Sequence, residues 1–313
     1  MDTRQLRGFL KIADTGSITR AAESLGIAQA SLSQQLLRLE RELGFVLVHR
    51  TPRGVSLTEQ GRIFQEHARQ ILRSAEQAIE DGRRFGVEPT GEVILAVPYS
   101  ISKLAGFTLV EAFLRHAPQV SFRLAEAFTG PIRGWLDNSK VDLGILHDLG
   151  PLRNLTARRL ATEELYLVGP AGRYGDINAM PNVPVTDLAA LPMILPGLPH
   201  GLRQVIEQET TRLGTTLNVR QEIDAMAHFG ELVAAGHGYS ILPLSIISDA
   251  LAARRVSVAR IGGGVMRRTL CLVRNSSQVV THASVRCEDL TVKVLSRLIE
   301  KGVWVAEPDE TLR

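Results

Sequence analysis

The chain has 313 residues, 44% of them hydrophobic, and a formal net charge of +3. That length favours two or three domains over a single core, and the hydrophobic share is ordinary for a globular protein. No apolar run reaches the roughly 18 residues of a membrane span, and the N-terminus lacks the basic-then-apolar pattern of a signal peptide, so no membrane partner and a cytoplasmic location are expected. Cys271 and Cys287 are the only cysteines. Without C-x-x-C spacing, neither a disulfide framework nor structural zinc is expected, and both are read as small packing hydrophobes. The first 60 residues hold eight Lys/Arg against six Asp/Glu. Nucleic-acid binding must therefore be argued from where charges sit, not from their sum.

Leu6, Phe9, Leu10 and Ala13 recur at helical spacing, which predicts a first helix over residues 3–15. Gly16 ends it. Ser17 follows as an N-cap whose hydroxyl can satisfy a free N–H of the next helix. That helix covers 18–25, with Ala21 and Ala22 small enough for close packing, and Gly26 permits the turn. A third helix is predicted over 29–43, with Leu32, Leu36, Leu39 and Leu43 on one buried face. Gln34, Arg38 and Arg41 project from the other face. Gln29, Ser31 and Ser33 occupy the first turns, where a recognition helix meets base edges. Glutamine can bond adenine in a bidentate way, serine can bond several bases, and arginines can neutralise phosphates. A short strand at 46–48 leads into the basic turn Arg50-Thr51-Pro52-Arg53-Gly54, and a strand returns at 55–57. Arg50 and Arg53 on that tip suit a narrow, negative minor groove. The bland alternative is a solvated helical pair beside a solvated hairpin.

These residues resemble the DNA-binding unit of the LysR-type transcriptional regulators. The resemblance covers residues 1–90. It rests on Phe9, Gly16-Ser17, Ala21-Ala22, Leu25, Gln29, Leu32-Ser33, Gln35, Leu39-Glu40, Leu43-Gly44, Leu47, Arg50, Leu57-Thr58 and Gly61. It implies a winged helix-turn-helix over residues 1–57, with Ser17, Gln29, Ser31, Ser33, Gln34, Arg38, Arg50 and Arg53 as DNA contacts. The chain departs from the family pattern at Ala28, Ala30 and Gln34, where serine, proline and often arginine are usual. Its recognition helix thus lacks the usual N-cap and first-turn proline.

Residues 58–90 are predicted to form a linker helix ending in a hinge loop at 86–91. Phe64, Ala68, Ile71, Ala75 and Ala78 follow one another at spacings of four, three, four and three. That 3.5-residue repeat marks a two-helix seam and predicts dimerisation. The alternative is a helix packed on its own domain.

From Gly91 the pattern changes to short apolar runs alternating with helical segments, which predicts a mostly parallel α/β sheet. Lobe I is placed at about 91–162 and 268–303, lobe II at about 163–267, and the polar tail 304–313 is expected to be loose. Two lobes joined by two crossings resemble the periplasmic-binding-protein-like effector domain of the same family. Ligands in open α/β sheets bind beyond the carboxyl ends of strands, near helix N-termini that favour anions. Those ends carry Ser100, Ile101, Ser102, Thr129, His147, Leu198, His200 and Ala225. The hydroxyls can bond a carboxylate, and either histidine can supply a cation at suitable pH. Ser100 and Ser102 read equally well as helix N-caps.

No G-x-S-x-G elbow or H-E-x-x-H motif occurs, and the eight histidines show no paired ligand spacing. No enzyme, metal or cofactor is therefore expected. The expectation is a bacterial-type, ligand-responsive DNA-binding transcriptional regulator. A small anionic molecule, aromatic or another carboxylate, would bind between the C-terminal lobes and alter oligomer geometry on promoter DNA. The partners implied are double-stranded DNA, a second copy through the linker helix, a tetramer, and RNA polymerase by family resemblance. The competing readings are a solute-binding module and an α/β enzyme acting on a small anionic metabolite.

Overall fold

Asp2 starts the first helix, α1 (Thr3–Thr15), with a reciprocal cap: its carboxylate accepts from the Gln5 amide while the Gln5 side chain accepts from the Asp2 N–H. The computed structural model describes residues 1–51, 54–83, 89–147, 150, 154–175 and 179–310, without the side chains at 50–51, 73–74 and 76–83. The chain divides into two units, Met1–Val87 and Glu88–Arg313.

In the first unit, α2 (Ile18–Leu25) and α3 (Gln29–Leu43) each end on a glycine in the left-handed region, Gly26 at φ 66° and Gly44 at φ 77°. Leu6, Phe9, Ala21, Leu32, Leu36 and Leu39 meet in one core. A wing follows, β1 (Val48–Thr51) pairing antiparallel with β2 (Gly54–Leu57). Its first strand starts later than expected because the Val46 and Leu47 carbonyls accept from the Thr58 hydroxyl at 2.7 and 3.2 Å. Thr58 in turn accepts from the Gly61 N–H at 2.8 Å and so caps α4 (Glu59–Arg83). A Cβ at Gly61 would lie 2.0 Å from the Leu47 carbonyl oxygen, so this close approach requires glycine. The Glu40 carboxylate accepts from the Leu47 and Val48 N–H groups at 2.8 and 3.3 Å, tying the wing to α3.

Two positions of the expected linker-helix seam are taken up within their own unit. Phe64 and Ala68, expected in a dimer seam, are buried in the core of their own unit. The Phe64 ring sits 5.5 Å from Phe9 and 6.3 Å from Phe45. The N-terminal part of the stripe packs on α1 of the same unit, which periodicity cannot distinguish from a second copy. Ile71 stays 37% exposed and Ile63 58%. Ala75 is half-buried, and the Ala78 side chain lies outside the described residues.

In the second unit, β3 (Gly91–Val97), α5 (Tyr99–His116), β4 (Val120–Glu126), α6 (Thr129–Asp137) and β5 (Leu143–His147) build the first lobe. Strand β6 (Leu155–Glu164) then leads to the second. That lobe runs through β7 (Tyr166–Pro170), β8 (Asn182–Val183), β9 (Pro192–Leu195), α7 (Gly201–Arg212), β10 (Asn218–Glu222), α8 (Phe229–Ala234), β11 (Ser240–Leu242), α9 (Leu244–Ala252) and β12 (Val256–Ile261). The chain returns along β13 (Arg267–Asn275) and ends with α10 (His282–Glu300) and β14 (Glu307–Pro308).

The first lobe holds a six-stranded sheet of order β14-β6-β13-β5-β3-β4. Its β3, β4 and β5 are parallel, but β13 is antiparallel to both β5 and β6. The expected mostly parallel sheet is thus mixed, because the two crossing strands run out and back as neighbours. In the second lobe, β7 pairs antiparallel with β11 and β12, while β9 and β10 pair in parallel. Cys271 and Cys287 are both buried and free, and burial raises both thiol pKa values, in keeping with a packing role.

The tail is the clearest correction. Trp304 is 2% exposed and belongs to the first lobe's core. Glu307 and Pro308 pair with Thr162 and Ala161 of β6, and Arg267 holds the Glu307 carboxylate through two bonds of 3.0 and 2.9 Å. A polar composition hid one buried indole and one edge strand. Among the described residues no helix is long and apolar enough to cross a membrane.

Candidate DNA interface and effector cleft

Ser17 caps α2, its hydroxyl accepting from the Arg20 N–H at 3.4 Å. That role orients the turn between helices and leaves the hydroxyl engaged. Ala28 occupies the N-cap of α3 without a side-chain bond, as its methyl group requires. The opening N–H groups of α3 therefore lack a side-chain cap from Ala28. Gln29, Ser31, Gln34 and Arg38 are exposed on this helix, while Ser33 is half-buried. Opposite them Leu32, Leu36 and Leu39 are at most 2% exposed. This division holds α3 by one face and presents the other. Two exposed apolar residues adjoin the polar row, Ile27 at 37% and Leu37 at 42%. Sequence periodicity had not singled them out, although a thymine methyl group is a natural contact for such side chains.

The wing is tied to the turn between α1 and α2, where Val55 N–H donates to the Gly16 carbonyl at 2.9 Å, as it is to α3 through Glu40. Gly54, at φ 130°, would bring a Cβ within 2.5 Å of that carbonyl oxygen. The turn therefore depends on glycine here. Arg50 lies on β1 opposite Val55, with its side chain outside the described residues; Arg53 lies outside them altogether.

In the second unit, four of the eight expected cleft residues converge. Ser100, Thr129, His147 and His200 line one pocket together with Tyr99, Phe128, Leu202, Met226, Ile246 and Arg268. Ile101 does not join them: it is 1% exposed in the first lobe's core, since it points from α5 into the sheet. Ser102, Leu198 and Ala225 are not in the lining either; Leu198 is 64% exposed. Neither serine caps α5, because that position belongs to Pro98.

The cleft's free volume is about 10 Å³, roughly one water. The lobes touch through the N-terminus of α7. A Cβ at Gly201 would lie 2.7 Å from His147 Cε1 and 3.1 Å from Thr129 Oγ1. His147 Nε2 is 3.2 Å from Thr129 Oγ1, while the buried Nδ1 has no hydrogen-bond partner among the described residues. Nδ1 of His200 accepts from the Leu202 N–H at 3.1 Å, and its ring rests 4.6 Å from Phe128.

Neither histidine supplies the expected cation. Burial, with Arg268 and His200 nearby, holds His147 well below the usual imidazole pKa. Burial likewise depresses His200 to about 4, against a smaller opposing effect of Asp224. Both are neutral near pH 7. The positive charge at the cleft is Arg268, which sequence reasoning missed. Its Nε donates to Glu163 Oε1 at 2.7 Å and its Nη2 to Ser100 Oγ at 2.9 Å. Glu163 Oε2 accepts from Trp304 Nε1 at 2.9 Å. The pair is nearly dry, with side chains 2% and 4% exposed. No local signal in sequence joins positions 100, 163, 268 and 304, which come together only through the crossing strands and the tail.

A helix-turn-helix with a wing, followed by a two-lobed α/β unit with a cleft between its lobes, defines a DNA-binding protein with a ligand-binding domain. Residues 3–62 match the model of the bacterial regulatory helix-turn-helix protein, lysR family, and residues 86–292 match the LysR substrate binding domain. The chain belongs to the LysR family of transcriptional regulators. It is 30% identical over 309 residues to the nitrogen assimilation regulatory protein nac of Escherichia coli (strain K12), covering 97% of this chain and 99% of that one. It is 31% identical over 255 residues to a probable cat1 operon transcriptional activator of Acinetobacter lwoffii, covering 78% and 81%. Among solved structures, a full-length OxyR variant from Pseudomonas aeruginosa superposes with a TM-score of 0.73 at 23% identity, covering 94% of each chain. Full-length CbnR complexed with its target DNA gives 0.53 at 24% identity, covering 94% of this chain and 100% of that one. Both establish the shared fold.

Proposed function

We propose that this chain binds promoter DNA as a homo-oligomer and changes its hold on that DNA when a small molecule enters the cleft of the second unit. The observation that carries the proposal is the exposed row Gln29, Ser31, Gln34 and Arg38 on α3, set above a fully buried leucine face. A helix presented this way fits a major groove, with glutamine and serine toward base edges and arginine toward phosphate. Two copies would place two such helices on half-sites about 34 Å apart. Apolar side chains free to join copies are Ile63 and Ile71 on α4 and, in the second unit, Phe107 and Leu114 on α5, at 81% and 72% exposure. RNA polymerase as a further partner, and a cytoplasmic site of action, follow from this reading.

The effector is a molecule rich in oxygen acceptors, the carboxylate class included. It would meet the Ser100 and Thr129 hydroxyls and a charge-balanced Arg268. Entry needs α7 to withdraw from β5, so ligand and lobe opening are coupled, and only a ligand with different affinity for the two arrangements shifts them. Binding without turnover is the better reading of the Thr129–His147 pair. It has the spacing of a nucleophile and a base, but His147 Nδ1 has no carboxylate partner among the described residues.

A footprint of the purified protein on DNA upstream of its own and neighbouring genes tests the first claim. Two protected half-sites, lost on Gln34→Ala, are expected; uniform, sequence-blind protection would refute it. Thr129→Ala tests the second, with an intact footprint and a blunted metabolite response. Turnover of a bound molecule would overturn the non-catalytic reading.

A further inference from the structure

The second unit holds a far larger space than the interlobe cleft. A cavity of about 460 Å³ lies between α5, α9 and the segment after α10, against about 10 Å³ in the cleft. That volume suits a small-molecule ligand. Its apolar walls include Leu104 from α5, Leu244 and Leu251 from α9, and Val303 and Trp304 from the chain's end. One wall thus belongs to each lobe. The lobes are pinned beside it, where Lys103 Nζ donates to the Ile246 carbonyl at 3.0 Å and meets Asp249 at 3.0 Å.

Charge defines what the cavity would take. Three ionisable side chains line it: Lys103, Glu163 and Arg254. Lys103 is neutralised by Asp249, and Glu163 by Arg268. Arg254 has no ion-pair partner among the described residues and is exposed. It also sits where a side chain is unfavourable. At φ 54° it ends α9 in the left-handed region, its N–H bonding the Leu251 carbonyl at 2.9 Å, a position that glycine usually fills.

We propose that this cavity is a second ligand site, for an amphipathic monocarboxylate whose apolar body packs on Trp304 and the leucines while its carboxylate meets Arg254. It goes beyond the cleft reading and stands whether or not the cleft binds an effector. Trp304, in its wall, also bonds Glu163, which holds Arg268 against Ser100. The cavity and the cleft therefore share one buried network.

Isothermal titration of octanoate and of 3-phenylpropionate into the full-length protein tests it. Saturable one-to-one heat is expected, weaker by about tenfold for 1-octanol and for Arg254→Gly, the loss of one charge-assisted contact. Arg254→Gly relieves the backbone, so its melting temperature should hold or rise while affinity falls; a structural role alone would lower both. Ser248→Trp should fill the cavity and abolish the heat. In Trp135→Phe, Trp304 becomes the only indole, and its emission should shift on binding. No saturable heat with either acid overturns the proposal. Loss of heat in Thr129→Ala with retention in Ser248→Trp would move the ligand to the cleft. A changed oligomer mass in Ser248→Trp with octanoate heat intact would make the surface an interface between copies.

Discussion

The two units handle polar side chains in opposite ways. On α3 they stand in a row in solvent, backed by leucines. In the second unit Ser100, His147, Glu163 and Arg268 are each at most 4% exposed. Exposed groups cost little while they wait for a partner, and they acquire meaning only on an external surface such as DNA. Buried groups must be satisfied internally, because desolvation of an unpaired charge is expensive. The first arrangement can be read one residue at a time. The second behaves as a unit, and changing one member exposes the rest.

The sharpest way to break this contrast is Glu163→Gln. It leaves Arg268 buried without its counter-charge and should cost about 3–5 kcal/mol in urea unfolding. Both tryptophans, Trp135 and Trp304, lie in the second unit, so their fluorescence reports that unit alone. If Glu163→Gln unfolds at the wild-type midpoint, the buried network does not stabilise the second unit. Gly61→Ala is the counterpart in the first unit. The added methyl group meets the Leu47 carbonyl, and about 2–3 kcal/mol of overpacking strain is expected, seen as lost DNA binding with unchanged tryptophan unfolding.

Acid should separate the units next. His147 and His200 have folded pKa values below the unfolded value near 6.5. Between the two values the unfolded chain binds more protons than the folded one, so stability falls as pH drops from about 6.5 toward about 4. The tryptophan signal should show this, and His200→Asn should flatten the curve. An unaltered slope would mean that His200 is protonated in the fold. The smallest effects belong to α3. Gln29→Ala should change base preference by about 1–3 kcal/mol without altering unfolding. Arg38→Ala should reduce the salt slope of DNA binding by about one; an unchanged slope would remove it from the phosphate contacts.

Local patterns carried most of the first unit. Leu32, Leu36 and Leu39 announced the buried face of α3, Gly26 the turn before it, and Ser17 its neighbour's cap, because each depends on residues within a few positions. The same logic found Thr129, His147 and His200 at the strand ends of the second unit. It failed on Phe64 and Ala68, because a stripe of that period packs equally well on another copy or on α1.

What the sequence by itself determined is therefore the class of the protein and the two faces of its recognition helix, since amphipathicity and capping are local. Only the tertiary structure decided that Arg268 is the cleft's cation, that both cleft histidines are neutral, and that Trp304 belongs to the core. Each of those depends on desolvation and on partners from distant parts of the chain: Glu163 and Arg268 are 105 positions apart, and Trp304 reaches across 141 to the same carboxylate. No window along the chain contains such a network, and the charge state of its members is set by where folding buries them.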